Sequence, residues 1–191
     1  MGIVAIIVLG LLLVLVVYAI MIYNNLVQIK HNVTKAWANI DVLLKQRHDE
    51  LPKLVETCKQ YMKFEQDTLT RVMEARSRVF TAREAQNIPQ LGQAEGALRA
   101  TLGNLFALAE AYPDLKTNQT FQQLQTRISG LENAIADRRE FYNESVNVNN
   151  IRIEQFPDTI VAGMFGFKPA QLLEFQAEEK ADVDVGKLFK S

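Results

Sequence analysis

Residues 3–22 read IVAIIVLGLLLVLVVYAIMI, and this stretch decides how the rest of the chain is arranged. Only Gly10 and Tyr18 are not plainly aliphatic, and as a helix the stretch measures about 30 Å, the thickness of the hydrocarbon core of a bilayer. A cleaved signal peptide would have a basic start and a shorter apolar part, and a soluble core helix is rarely apolar on every face. Against these alternatives, the sequence predicts a retained transmembrane helix that contacts the lipid bilayer through residues 3–22.

The charges of the chain lie on one side of this stretch. All 21 basic and 22 acidic residues follow Ile29, beginning with Lys30 and Lys35. Because basic residues near a span tend to remain in the cytoplasm, we expect residues 1–2 to be a short extracytoplasmic N-terminus and the remainder to be cytoplasmic. The net charge of -1 offers no basic surface for phosphates, so no nucleic-acid partner is expected.

The chain after the span has the three- and four-residue spacing of bundle helices. The first apolar stripe consists of Leu26, Ile29, Val33, Trp37, Ile40, Leu44, Leu51, Leu54, Cys58 and Tyr61. Pro52 removes a hydrogen-bond donor from this stripe, which predicts a kink or a tight join there, with Asp49 able to cap the segment that follows.

Further helices are predicted over about residues 50–86, 90–111 and 118–155. The second has an apolar stripe of Leu91, Leu98, Leu102, Leu105 and Ala109, and the third has Asn118 as its cap and a coiled-coil heptad rhythm. The predicted fold is all-α. An N-terminal transmembrane helix is followed by an antiparallel bundle of three to four long helices over residues 23–176. The bundle ends in short C-terminal helical turns, and residues 177–191 form a loose tail.

Several motifs follow one another in a fixed order along the chain. They are Tyr23-Asn24, Ala36-Trp37, Ile40-Asp41-Val42-Leu43-Leu44, Arg47-x-Asp49-x-x-Pro52, Ala75-Arg76, Tyr112-Pro113, Arg138-Arg139-x-x-Tyr142-Asn143, Phe156-Pro157 and Phe165-Gly166-Phe167. Over about residues 1–176 this order resembles the LemA family of bacterial membrane proteins. The resemblance implies a helical bundle tethered to the bacterial inner membrane by one N-terminal helix. It also implies no established catalytic activity, and other membrane proteins, such as a membrane peptidase, as partners.

The residue types that carry catalysis or bind metals are sparse. Cys58 is the single cysteine, and His31 and His48 lie 17 residues apart on what is predicted to be one helix. The glycines match no phosphate-binding or dinucleotide-binding motif. We therefore expect no catalytic residue, no metal site and no cofactor.

Polar side chains enter the apolar stripes of two helices that are expected to pack antiparallel. Arg47 and Arg138 each take a step at which the stripe calls for an apolar residue. The candidate residues for a buried or half-buried network are Asp41, Arg47, Asp49, Arg138, Arg139, Tyr142 and Asn143. Such a network is either a set of salt bridges that fixes helix register or a site for a ligand or partner.

A second candidate surface is apolar and consists of Phe165, Phe167 and Phe175. These side chains either pack at the end of the bundle or contact the membrane or a partner. The leading functional hypothesis is a non-enzymatic adaptor or scaffold for membrane-associated partners. The first alternative is a homo-oligomeric assembly that organises the membrane. The second is a ligand sensor or an enzyme that uses Arg47, Asp49, Arg138 and Tyr142.

Overall fold

The computed structural model describes residues 2–174. Phe175 and the tail predicted over residues 177–191 lie outside the described residues. Within them the chain forms six helices and no strand, so the all-α prediction is confirmed. The helices are α1 (Gly2–Tyr61), α2 (Gln66–Glu84), α3 (Ile88–Ala109), α4 (Pro113–Lys116), α5 (Gln119–Glu154) and α6 (Asp158–Phe165).

The chain divides into two compact units, to both of which α1 and α5 contribute. Among the described residues, the first contains Gly2–Val42 and Ala136–Leu172, and the second contains Leu43–Ile135, Leu173 and Glu174. In each unit α1 and α5 run antiparallel, because contacts that advance along α1 move backward along α5. These contacts are Asn25 with Arg152 and Trp37 with Tyr142 in the first unit, and Arg47 with Glu132 and Tyr61 with Asn118 in the second.

The first unit begins with the apolar part of α1. Every side chain from Ile3 to Met21 is exposed, and this part of the helix is long and apolar enough to cross a membrane. An exposed aliphatic surface of this size is unstable in water but is satisfied by lipid, so the chain is a membrane protein. From Ile22 onward one side of the helix is covered by protein, in a small core formed by Ile22, Leu26, Ile153, Val161, Ala162 and the partly buried Phe167.

The second unit has its core where α2 and α3 pack against α1 and α5. The apolar stripes predicted for these helices are buried, including Leu44, Leu51, Leu54 and Cys58 on α1 and Leu91, Leu98, Leu102 and Leu105 on α3. Gly92 of α3 is also buried, and a Cβ at this position would collide with the backbone carbonyl oxygen of Glu174. A close approach of the chain to α3 therefore requires glycine there.

Of the two alternatives predicted at Pro52, a kink or a tight join between two helices, the join is wrong. Residues 2–61 form one helix that contains Pro52, and Asp49 lies inside that helix and caps nothing. The break comes at residues 62–65, so the helix expected over residues 50–86 is divided between α1 and α2. Pro52 leaves the His48 carbonyl without its helical donor, and the Nε of Arg76 donates to that carbonyl at 2.9 Å.

Side chains from distant parts of the sequence hold the break that follows Tyr61. Asn118 donates to the Tyr61 hydroxyl oxygen at 3.0 Å, and the Tyr112 hydroxyl donates to Glu65 at 3.1 Å. Asn118 also caps α5 as predicted, because its Oδ1 accepts from the backbone N–H of Phe121 at 2.9 Å.

Candidate functional site

Arg47 lies in the second unit at the centre of a buried ion cluster. Its side chain is 1% exposed, and its two terminal nitrogens donate to different carboxylates. Nη2 binds Glu95 of α3, and Nη1 binds Glu132 of α5 at 2.6 Å. The prediction that Arg47 is buried is therefore confirmed.

The charge of Arg47 is held in place by its two partners. Burial by itself would lower the pKa of Arg47, but the charges and hydrogen bonds of Glu95 and Glu132 outweigh burial and raise that pKa. Arg47 therefore stays charged, and its terminal nitrogens are occupied by protein groups. The cluster joins three helices through one guanidinium, which suits the fixing of helix register.

Sequence reasoning missed Glu95 and Glu132, although their positions carried a signal. Glu95 stands four residues after Leu91 and three before Leu98, so it occupies a step of the apolar stripe of α3. Glu132 stands four residues after Ile128, in the corresponding position on α5. An acidic residue on each of two stripes, with a basic residue on a third, indicates a buried cluster.

His48 and Arg76 form a second polar contact in the same unit. Besides the hydrogen bond from its Nε to the His48 backbone carbonyl, Arg76 has its Nη2 within hydrogen-bond distance of His48 Nε2. The His48 imidazole stacks on Phe80, with the ring centroids 4.9 Å apart. Burial and then the charge of Arg76 lower the pKa of His48, so the neutral imidazole is favoured as an acceptor. Asp49 is exposed, and its charge acts in the opposite direction on the pKa of His48.

Tyr142 lies in the first unit and is buried against Trp37, with the ring centroids 5.8 Å apart in an edge-to-face arrangement. Its hydroxyl donates to the backbone carbonyl of Gln171 at 2.9 Å, and burial raises its pKa. Nearby, the side-chain amide of Asn150 accepts from the N–H of Ala170 at 2.9 Å and donates to its carbonyl at 3.0 Å. Tyr142 and Asn150 therefore fix the extended chain after α6.

The prediction that Arg138 belongs to a buried or half-buried network is wrong, because its side chain is exposed. It lines a surface groove of about 510 Å³ between α1 and α5 of the first unit, together with Asn39, Phe141 and Glu144. A guanidinium on an apolar stripe is buried only where carboxylates face it, as they do for Arg47. The other three candidates, Asp41, Arg139 and Asn143, are half-buried, and each has a polar or electrostatic contact.

Two phenylalanines of the apolar candidate surface, Phe165 and Phe167, lie beside the end of the apolar run. The ring centroid of Phe165 is 4.7 Å from that of Tyr23, and that of Phe167 is 5.9 Å away. Phe167 packs on the core of the first unit, whereas Phe165 is exposed.

The sequence can now be compared with known proteins. A match to the LemA family covers residues 36–186. The chain belongs to the LemA family. Protein LemA of Metamycoplasma hominis is 26% identical over 166 residues, which are 86% of this chain and 74% of that protein. Magnetosome protein MamQ 2 of Paramagnetospirillum magneticum is 34% identical over 92 residues, and MamQ of Magnetospirillum gryphiswaldense is 33% identical over 75 residues.

These matches to the magnetosome proteins are partial. They cover 48% and 39% of this chain, and 33% and 28% of the two magnetosome proteins. The chain thus aligns with about a third of the length of those relatives. The part that matches the LemA family contains the Arg47 cluster, Arg138 and helix α6.

In this LemA family member, the described residues contain no group of three or more histidine, cysteine or acidic side chains that could hold a metal ion. Cys58 is fully buried, and burial raises the pKa of its thiol to about 12, so the thiol is not a nucleophile near neutral pH. The Arg47 cluster lies within the packed helices of the second unit, whereas the groove beside Arg138 and the side chain of Phe165 are exposed.

Proposed function

We propose that this LemA family protein is a single-pass, non-enzymatic adaptor or scaffold, with its helical bundle attached to the membrane for contact with partners. The observation that carries the proposal is the continuity of α1. The helix passes without a break from the exposed aliphatic run into the core of the first unit, where Leu26, Ala36 and Ile40 are buried. A span joined to the first unit without a flexible linker keeps the surface of that unit close to the bilayer.

The groove beside Arg138 is the surface that we assign to a partner. Phe141 is 54% exposed within it, and Val148 lies seven residues further along the same face of α5. Arg138 and Glu144 place opposite charges at the edge of this apolar strip. An apolar strip with a charged rim is the composition of a protein interface, and we expect another membrane protein, such as a membrane peptidase, to occupy it.

The proposal is tested by photocrosslinking in living cells. A photoreactive amino acid replaces Phe141, and a matched control replaces Gln123, which is exposed on the same helix but outside the groove. We expect one membrane protein to be captured from position 141 and not from position 123. Capture of further copies of this chain alone would overturn the adaptor in favour of the membrane-organising assembly, and equal capture from both positions would remove the groove as the interface.

The proposed location is the bacterial inner membrane, with the bundle in the cytoplasm. The basic residues Lys30 and Lys35 after the apolar run support this orientation. The test uses a Phe64→Cys variant, because Phe64 is 95% exposed while Cys58 is buried and unreactive. A membrane-impermeant maleimide should label the introduced thiol only after the inner membrane is permeabilised, and labelling of intact spheroplasts would reverse the orientation.

A further inference from the structure

Helix α6 has an exposed face that is apolar apart from Thr159. Ile160, Met164 and Phe165 are 54%, 75% and 60% exposed. No charged residue occurs between Thr159 and Phe167, and Phe156, which precedes the helix by two residues, is exposed as well. A surface helix of a soluble protein normally turns its polar face outward, so the environment of this face is not expected to be water.

The position of α6 is fixed by contacts on its other side. Asp158, at the first position of the helix, is buried and pairs with Arg152 at 2.7 Å, and Arg152 also donates to Asn25 of α1 at 3.2 Å. Gly166 ends the helix in the left-handed conformation, at φ 68°, and the N–H of Phe167 bonds the carbonyl of Ala162 at 3.0 Å. The exposed apolar face therefore belongs to an anchored helix.

The same helix adjoins the end of the aliphatic run. Val161 and Ala162 cover Ile22, the last residue of the run, and the ring of Phe165 lies against Tyr23, the next residue. Tyrosine at the end of a span lies at the level of the lipid headgroups. The exposed surface of residues 3–21 therefore continues onto α6 at the depth where the bilayer meets water.

We propose that α6 is an interfacial membrane foot, in which Ile160, Met164 and Phe165 insert into the headgroup and upper acyl-chain region of the bilayer. The inference rests on the proposed membrane span. Lipid is the occupant because the apolar face is continuous with a surface that already contacts lipid and lies in the same unit. At this depth an apolar helix face is accommodated in the boundary layer between headgroups and acyl chains.

The foot adds a second attachment point to the span. A single transmembrane helix can rotate and tilt, since its aliphatic surface is similar on all sides. With α6 inserted at one side, tilting of α1 away from that side would lift the apolar face out of the lipid. The foot therefore restricts which face of the first unit is turned toward the bilayer.

The test measures the depth of a fluorescent probe in the full-length protein, reconstituted into vesicles of phosphatidylethanolamine and phosphatidylglycerol. The variant Met164→Cys carries an environment-sensitive nitrobenzoxadiazole probe, and Ile160→Cys provides a second position on the same face. Buried Cys58 does not compete for the label. Val14→Cys reports on the span. Glu140→Cys is the matched control, because Glu140 is exposed on α5. It lies two residues from Tyr142, and the ring of Tyr142 contacts Trp37. Trp37 is about 21 Å further along α1 than Tyr23.

Lipids that carry a spin label near the headgroup or near the acyl-chain end serve as quenchers. We expect the probes at positions 160 and 164 to be quenched several-fold more by the shallow label than by the deep label, and the probe at 140 to be quenched by neither. Absence of quenching at 160 and 164, with deep quenching at 14 retained, would overturn the proposed membrane foot but not the span. If the emission of these probes were blue-shifted in that case, the apolar face of α6 would be assigned to a contact with protein. Absence of deep quenching at 14 would overturn the proposed span and the foot with it.

Discussion

The side chain of Arg76 on α2 donates through Nε to the backbone carbonyl of His48 on α1 at a distance of 2.9 Å. In a regular helix this carbonyl would accept from the N–H of residue 52, which is proline and has none. A side chain from another helix thus replaces the missing donor. The contact explains how α1 passes Pro52 and continues to Tyr61.

This relationship predicts that the importance of Arg76 depends on Pro52. Replacing Arg76 by methionine leaves the His48 carbonyl without a donor, so we expect the free energy of unfolding to fall by about 1–3 kcal/mol. In a Pro52→Ala background the new N–H bonds the same carbonyl, and the loss from Arg76→Met should be clearly smaller. The measurement is denaturant unfolding of the full chain in mild detergent. Arg78→Met, an exposed arginine of α2, is the control, and equal losses in both backgrounds would contradict the prediction.

The lowered pKa of His48 predicts a loss of stability in mild acid. Its cause is burial followed by the charge of Arg76, with Arg83 and Arg47 acting in the same direction and Asp49 against it. Because the folded pKa lies below the unfolded value of about 6.5, the unfolded chain binds more protons in this range. The stabilisation is complete above about pH 6.5 and is lost as the pH falls through the folded pKa, with a slope of at most about 1.4 kcal/mol per pH unit.

The measurement for His48 is the free energy of unfolding between about pH 7 and pH 5, above the range in which ordinary carboxylates titrate. A His48→Gln variant keeps an acceptor for Arg76 but does not titrate, so its slope in this window should be flatter. His31→Gln is the control at an exposed histidine. A slope that survives in His48→Gln and disappears in His31→Gln would assign the effect to the wrong histidine.

The Arg47 cluster predicts a large loss from one substitution and recovery from three. Arg47→Met leaves two carboxylates facing each other without a cation, and we expect a loss of about 3–5 kcal/mol. Combining Arg47→Met with Glu95→Leu and Glu132→Leu removes the charges together, so stability should return to within about 1–2 kcal/mol of the starting protein. Denaturant unfolding is the readout, and exposed Lys45→Met is the control. A neutral Arg47→Met would show that the cluster does not form.

The two hydrogen bonds of Asn150 predict slow amide hydrogen exchange in the chain after α6. The Asn150→Ala substitution removes both hydrogen bonds to the backbone of Ala170, and amide hydrogen exchange in residues 168–171 should quicken by about 5–30-fold, corresponding to about 1–2 kcal/mol. Asn147→Ala is the matched control, because Asn147 lies on the same helix and is exposed. Unchanged exchange in Asn150→Ala, or equal acceleration in both variants, would mean that Asn150 does not hold this segment.

Much of the fold could be predicted because it depends on local patterns. A run of aliphatic residues as long as a bilayer is thick specifies a span, and three- and four-residue spacing specifies which side of a helix is buried. The stripe positions of α3 and the cap at Asn118 were predicted correctly for this reason. The end of α1 was not predicted correctly. The hydrogen bond that replaces the missing donor of Pro52 comes from Arg76, which lies 24 residues further along the chain.

The apolar run, the helical class, the buried faces and the membership of the LemA family all follow from local patterns of residues. Which charges those faces admit depends on how the helices pack. Arg47 and Arg138 occupy similar steps in their stripes, yet Arg47 is buried and Arg138 is exposed. The physical reason is that helical periodicity is a property of a single helix, whereas the free energy of burying a guanidinium depends on carboxylates supplied by other helices, here Glu95 and Glu132.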